Sequence, residues 1–249
     1  MHNDNWRVWE WKDDVESTLL LRAKGELPEM ESTKQLVKLM SKVYEPGMTV
    51  LDVGCGPGHY LRGMHRLDPQ ISYQGVDATK RFIEAASQIY KDTPNARFQV
   101  GDIFDLPFSE PSFDIVTCNN VLLHLPDFQT PIRNLLRACK KHCFIRTLVS
   151  DRSYIVKFAQ GEDFDEHGNP LRFIYQNTYS KSVLQRFITA QGNFDVQFIE
   201  DEFDPRIIEQ EFTELKKGRG TRCVEGVQIE GNIVFEWWFL KITRLSAGD

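Results

Sequence analysis

The run Val50-Leu51-Asp52-Val53-Gly54-Cys55-Gly56-Pro57-Gly58 constrains this chain of 249 residues more than any other stretch. Its apolar half has the length of a buried strand, its glycines alternate, and helix-like sequence follows. Glycine lacks a Cβ, so such a turn reaches tight dihedrals and lets a ligand press against the backbone. A helix start beyond it leaves amide N–H groups without intrahelical partners. Alone, this spacing is a weak signal. It can merely close a strand-helix turn, and dinucleotide enzymes carry a close relative of it.

The remaining periodicity supplies the context. Leu36, Leu39, Met40 and Val43 lie at helical intervals in a predicted helix from Ser32 to Tyr44, which stops at Pro46-Gly47 before a strand from Thr49 to Val53. Strands are predicted at Tyr73 to Val76, Arg97 to Val100, Phe113 to Cys118 and His142 to Val149. Helices are predicted at Lys80 to Tyr90 and at Gln129 to Lys140, the latter with Ile132, Leu135 and Leu136 on one face. Such alternation implies parallel strands joined by right-handed crossovers, hence a doubly wound α/β sheet with helices on both faces. Residues 150–178 are polar and aromatic without a clean period. A helix from Ser180 to Ala190 and strands at Phe194 to Glu200 and Ile233 to Thr243 follow, with charges and glycines in 201–232. The expected organisation is one folding unit over 1–249. Within it, 1–32 form an N-terminal lid, 33–149 a ligand-binding core, and 150–178 and 201–232 substrate-side insertions.

Three features sharpen the glycine loop. Asp77 ends the second strand about twenty residues on, where a carboxylate accepts from ribose hydroxyls, although it can equally cap a helix starting at Ala78. Asp102 and Ile103 follow the third strand. There a carboxylate can accept from an exocyclic amine and a branched side chain can lie on a flat base, or Asp102 can simply cap a turn. Asn119 and Asn120 end the fourth strand at the same edge, the carboxyl edge at which open α/β sheets bind ligands.

In this set of residues the chain resembles the class I S-adenosylmethionine-dependent methyltransferases, in the small-molecule branch of type 11 or ubiquinone/menaquinone-biosynthesis-like enzymes. The resemblance covers roughly residues 33 to 200 and is strongest from 49 to 126. It implies a Rossmann-like seven-stranded sheet whose last strand is antiparallel, a role suited to Ile233 to Thr243. It also implies S-adenosylmethionine as cofactor and S-adenosylhomocysteine as product. On matching positions it makes Asp52, Gly54, Cys55 and Gly56 the methionine-side loop, Asp77 the ribose ligand, Asp102 and Ile103 the adenine pocket, and Asn119 a backbone contact near the sulfonium. One departure is the approach to the fifth strand, Lys140 to Arg146, which lacks the family's Pro-Gly-Gly turn.

Methyl transfer from a sulfonium is an in-line displacement that needs alignment and exclusion of water, and a base only where the acceptor must lose a proton. His124, just past the fourth strand, is the candidate base; the alternative is a histidine that orders its loop. No Asn/Asp-Pro-Pro-Tyr/Phe and no Pro-Cys motif follows the fourth strand, so nucleobase methylation is disfavoured and an oxygen or nitrogen of a small molecule (a sugar, an aromatic or a secondary metabolite) is the expected acceptor. Thirty Lys and Arg against thirty-six Asp and Glu give a net charge of −6, which disfavours nucleic acid as a partner. Lys216, Lys217, Arg219 and Arg222 form a local basic cluster that reads either as a solvated loop or as a phosphate or anion contact.

No basic-then-apolar leader and no apolar window of ~18 residues is seen, so a cytoplasmic protein without a membrane span is expected. Five cysteines without C-x-x-C spacing argue against a disulfide framework and a zinc site, and no metal is expected. Trp6, Trp9, Trp11, Tyr154, Phe158, Phe164, Phe173 and Tyr175 line an organic substrate's pocket, bind a cation, or anchor a lid to the core. Arg22 either reaches the cofactor's carboxylate or is a solvated helix charge. Competing readings are a nicotinamide-dependent oxidoreductase, a noncatalytic module that keeps the cofactor fold, and a protein or RNA methyltransferase.

Overall fold

Along the central strands, successive residues are buried on opposite sides. Val50, Ile115, Phe144 and Phe239 join one apolar cluster, while Leu51, Val116, Ile145 and Leu240 join another. Strand side chains alternate between faces, so apolar residues on both require helices above and below. The computed structural model describes Trp9, residues 13–215 and residues 220–246. In chain order it has α1 (Asp13–Lys24), α2 (Glu31–Met40), β1 (Thr49–Val53), α3 (His59–Met64), β2 (Ser72–Asp77), α4 (Lys80–Ile89), β3 (Ala96–Val100), β4 (Phe113–Asn119), a 3-10 turn (Leu122–His124), α5 (Gln129–Ala138) and β5 (Cys139–Ser150). Next come β6 (Lys157–Ala159), β7 (Phe173–Tyr175), β8 (Tyr179–Ser180), α6 (Lys181–Thr189), β9 (Phe194–Glu200), α7 (Pro205–Gln210), a π-helical turn (Glu211–Leu215), β10 (Arg222–Val224), β11 (Val227–Glu230), β12 (Ile233–Phe235) and β13 (Trp237–Arg244).

The main sheet runs β3-β2-β1-β4-β5-β13-β9, with short β8 added beside the end of β5. β13 is antiparallel to both neighbours and the other pairings are parallel. This is the doubly wound sheet with one reversed strand that the sequence predicts. The strand order reverses at β1, between β2 and β4, and the carboxyl ends of these strands open the crevice typical of such sheets. Leu36, Leu39 and Met40 of α2 and Tyr60, Leu61 and Met64 of α3 cover one face; Ile132, Leu135 and Leu136 of α5 and Leu184 and Ile188 of α6 cover the other. α1 packs on α3 and α4.

Three boundaries differ from expectation. α2 stops at Met40, whose carbonyl accepts the amides of both Val43 and Tyr44 in a turn. α5 stops at Ala138 and β5 begins at once with Cys139, so the missing Pro-Gly-Gly turn is replaced by direct entry from helix to strand, with a register shift opposite it between Phe113 and Ile115. The strand predicted from Ile233 to Thr243 is two strands in different sheets. β12 pairs with β11, and at Glu236 the chain changes partners so that β13 lies between β5 and β9. One mostly apolar run spans both, with Glu236 as its first interruption and neither glycine nor proline at the break. Outside the main sheet, residues 150–178 carry the β6–β7 hairpin, and 201–232 carry α7, the π-helical turn and two strands of the β10–β11–β12 sheet.

Candidate active site

The glycine loop holds Gly54, Gly56 and Gly58 at φ of 76°, 54° and 82°, the left-handed region that glycine enters without Cβ strain. These turns fold the amides inward. Gly54 and Cys55 donate to the Val76 carbonyl at 2.7 and 3.1 Å, Gly56 to Asp77 Oδ2 at 2.9 Å and Gly58 to the Cys55 carbonyl at 3.1 Å. Pro57 has no N–H. The amides of the loop itself are therefore engaged and pin it to the end of β2, while α3 beyond it starts at His59 and is six residues long.

A cavity of about 250 Å³ opens beside this loop. Of the residues singled out in the sequence, Gly54, Gly56, Asp77, Asp102, Ile103, Asn119 and His124 line it, together with Trp9, Leu19, Met30, Phe82 and Val121. Among the described residues that line it, the carboxylates are Asp77 and Asp102 and there is no Lys or Arg. Asp52 and Cys55 sit behind the wall instead. Asp52 is 1% exposed, accepting from the Thr117 hydroxyl at Oδ1 and the Tyr73 hydroxyl at Oδ2, each at 2.8 Å. Burial raises its pKa from 3.8 to about 6 against the pull of those two hydroxyls. The Cys55 thiol is buried so close to Gly75 that a Cβ there would lie 2.9 Å from Sγ.

Asp77 accepts from Gly56 at one oxygen and from the Thr79 amide at the other, at 2.8 Å. Enclosure pushes its carboxyl upward while the two amides pull it down. It thus closes a turn before α4, whose N-cap is Thr79, and keeps acceptor capacity beyond these two amide bonds. Asp102 likewise accepts from the Phe104 amide at 2.9 Å, so the turn-closing alternative holds for both carboxylates alongside their place in the cavity.

Two lining residues have polar atoms that no described residue satisfies. Asn119 is 6% exposed with neither carboxamide atom partnered, and His59, which the sequence reading did not single out, is 8% exposed with Nδ1 unpartnered. Burial, and secondarily the Arg22 charge, lower the pKa of His59 from 6.5 to about 3. The signal in the sequence was only its position directly after the last loop glycine.

His124 Nδ1 lies 2.8 Å from the Tyr175 carbonyl. A carbonyl only accepts, so Nδ1 carries the hydrogen and the basic lone pair is on Nε2. The surrounding turn is held by Asn177, whose backbone amide donates to Leu123 O and whose side chain donates to Leu125 O, both at 2.9 Å. A structural and a chemical histidine are both compatible with this geometry. Asn120, at φ 60°, also lines the cavity and accepts at Oδ1 from Arg146, which forms a two-pronged pair with Asp201 at 2.7 Å and lies 4.1 Å from the Trp237 ring centre.

Arg22 is not a solvated helix charge: it is 7% exposed, donating to Glu211 at 2.6 Å and to the Pro28 carbonyl. Phe173 is buried, whereas Tyr154, Phe158 and Phe164 are exposed and are not among the residues that line the cavity. Trp6, Trp11, Lys216, Lys217 and Arg219 lie outside the described residues; Arg222 is exposed on β10. The five cysteines are free. Among the described residues there is no group of three potential metal ligands, and no helix is long and apolar enough to cross a membrane.

Comparison with known proteins follows the same direction. The methyltransferase domain family model matches residues 44–238, most of the chain. An uncharacterized methyltransferase, YcgJ of Bacillus subtilis, is 36% identical over 125 residues, 49% of this chain and 47% of that protein. The ubiquinone biosynthesis O-methyltransferase of Albidiferax ferrireducens is 37% identical over 90 residues, 35% of each. The chain thus spans about half or less of the length of these curated relatives. The crystal structure of YcgJ superposes with a TM-score of 0.56 at 19% identity, covering 88% of this chain and 100% of that one. Magnesium protoporphyrin IX methyltransferase from Synechocystis PCC 6803 with bound S-adenosylmethionine superposes at 0.53 and 15%, covering 97% and 90%. The chain belongs to the methyltransferase domain family.

Proposed function

We propose that this protein binds S-adenosylmethionine in the β1–β2–β4 cavity and transfers its methyl group to an oxygen or nitrogen of a small organic molecule. The observation that carries the reading is the character of the cavity: two carboxylates, no lysine or arginine, and an unsatisfied buried carboxamide at Asn119. A pyrophosphate would favour a cation-bearing lining and a row of loop amides, and the amides of Gly54, Cys55, Gly56 and Gly58 are engaged within the protein. A ligand bearing a sulfonium and an ammonium meets favourable charge there instead. This separates the reading from a nicotinamide-dependent one.

When bound, the cofactor supplies a methyl group on positively charged sulfur, open to in-line attack. In this reading Asp77 accepts from the ribose hydroxyls with its remaining lone pairs, Asp102 and Ile103 take the adenine, and Gly54, Gly56 and Asn119 border the methionine end. Asp52 and Cys55 act through the loop they hold from behind. Trp9 and Leu19 help exclude water. His124 Nε2 removes a proton where the acceptor must lose one. Residues 1–32 and the excursions 150–178 and 201–232 form the acceptor side. A relative named for O-methylation in ubiquinone biosynthesis and a fold neighbour named for a porphyrin support an organic acceptor, and the net charge of −6 weighs against RNA.

The test is calorimetric titration with S-adenosylmethionine and S-adenosylhomocysteine, with NAD as control. Micromolar binding of the sulfur ligands alone is the expected result. Binding of NAD, or of none of the three, overturns the proposal.

A further inference from the structure

An antiparallel sheet that rests one face on a core normally turns polar side chains to water on the other. The β10–β11–β12 sheet departs from that rule. Its register pairs Arg222 with Ile229, Ile229 with Val234 and Val224 with Val227, so these five side chains share one face. Gln228 and Phe235 share the opposite face, which is the buried one, and Phe235 packs there with Leu123 and Leu148. The outward face is aliphatic all the same, with Val224, Val227 and Val234 exposed by 36%, 45% and 51%.

Charge separates this face from the other exposed apolar surface. Of the nine large apolar side chains exposed among the described residues, five lie between Tyr154 and Leu171, in an excursion whose loop carries Glu162, Asp163, Asp165 and Glu166. Basic sequence leads into the valine face instead. Arg222 lies on the face itself, and Lys216, Lys217 and Arg219 precede it by three to six residues, a reach of at most about 20 Å of chain. Against Glu225 and Glu230 these four cations leave 216–235 at +2 within a chain of −6.

Size decides between occupants. Three strands about 4.8 Å apart, with a rise of about 3.3 Å per residue, make a face roughly 10 Å on a side. A stable protein interface takes about 800 Å² from each partner. A second copy meeting this face about a two-fold axis would also gather the cations of both chains at one contact. A lipid surface requires no such matching area. A few aliphatic side chains at the acyl boundary and a nearby basic cluster, each weak alone, together hold a protein where the headgroups are anionic.

We propose that the outward face of the β10–β11–β12 sheet docks on an anionic lipid surface, with Val224, Val227 and Val234 entering the headgroup boundary and the basic sequence that ends at Arg222 meeting the lipid charge. This attachment involves no membrane span and is independent of the cofactor reading.

Flotation of the full chain with vesicles tests it, using phosphatidylcholine alone and phosphatidylcholine with about 30% phosphatidylserine. The wild type should float with the second vesicles only and be released as salt rises from about 0.1 to about 0.5 M. The triple variant Val224→Thr, Val227→Thr and Val234→Thr keeps β-branching and loses apolar surface, and should bind about tenfold more weakly or less still. Arg222→Gln should cost about fivefold. Val100→Thr, at an equally exposed valine that ends β3, should bind as the wild type does.

A wild type that does not bind, that binds both vesicles equally, or whose binding survives the triple substitution overturns the proposal. So does a wild type that sediments as a dimer and becomes monomeric in the triple variant, which would give the face to a second copy. Urea unfolding reports whether the triple variant is folded; where it is not, Val227→Thr and Arg222→Gln decide by the same comparison, and unchanged binding in both overturns the proposal.

Discussion

Replacing Gly54 by alanine tests the loop geometry most directly. The residue sits at φ 76°, and an added Cβ would lie 2.2 Å from Val121 Cγ2, far inside any real carbon–carbon contact. Two costs add. An L-residue in the left-handed region costs roughly 1–2 kcal/mol. Forcing a methyl into occupied space costs about 1–3 kcal/mol, and Val121 cannot swing aside freely because β-branching stiffens χ1. Gly54→Ala should therefore destabilise by about 2–5 kcal/mol. The second cost depends on Val121 and the first does not, so Val121→Ala in the Gly54→Ala background should return about 1–3 kcal/mol while the backbone cost stays. Urea unfolding of the four proteins in a double-mutant cycle reads this coupling. Single costs that add to within about 0.5 kcal/mol would refute the contact.

Other perturbations have different signatures. Asp52, raised from 3.8 to about 6, holds its proton in the folded chain where the unfolded chain has lost it, so its contribution is full below about pH 4 and lost as pH climbs through about 6. That rise is worth about 3 kcal/mol at most; Asp52→Asn, which keeps hydrogen-bonding capacity toward Thr117 and Tyr73, should gain on the wild type by up to this amount between pH 4 and pH 7, and an unchanged difference in urea-derived stability would remove the raised carboxyl. Asp77→Ala takes away an acceptor for the loop as well as for a ribose, and calorimetry should show S-adenosylhomocysteine affinity falling by about 1–3 kcal/mol; undiminished affinity dismisses the ribose assignment. Asp201→Ala leaves the buried Arg146 guanidinium without its two-pronged partner and should cost about 3–5 kcal/mol in chemical unfolding; a cost below about 1 kcal/mol would mean that Arg146 finds water there. His124→Ala should slow turnover on an acceptor that must be deprotonated, with cofactor affinity unchanged, and undisturbed turnover assigns His124 to holding its loop.

Local physics reached far into this fold. Alternating apolar residues with glycine and proline stops located β1 to β5 and β9 to within a few residues, and the glycine spacing with Asp77 and Asp102 located the cavity before any coordinates. The failures share a cause. The β12–β13 break at Glu236 is a change of partner sheet inside one mostly apolar run, where a single glutamate without glycine or proline does not announce a stop. The bonds that pin the glycine loop were equally illegible, because its acceptors, the Val76 carbonyl and the Asp77 carboxylate, belong to the neighbouring strand.

The same limit explains why pattern reading did not separate the residues that line the cavity from those behind its wall. Asp52 and Asn119 are both polar residues at the carboxyl ends of adjacent parallel strands, and nothing in either neighbourhood of the sequence separates them. Asp52 is satisfied by Tyr73 and Thr117, 21 and 65 residues away, and so is withdrawn into the sheet. Asn119 meets no partner among the described residues and is left facing the cavity. An orphaned group is defined by the contacts that remain unmade once every distant segment has arrived. It is therefore the last property of a site to become legible, and His59 and Asn119, which have it, are where the coordinates add most to the sequence.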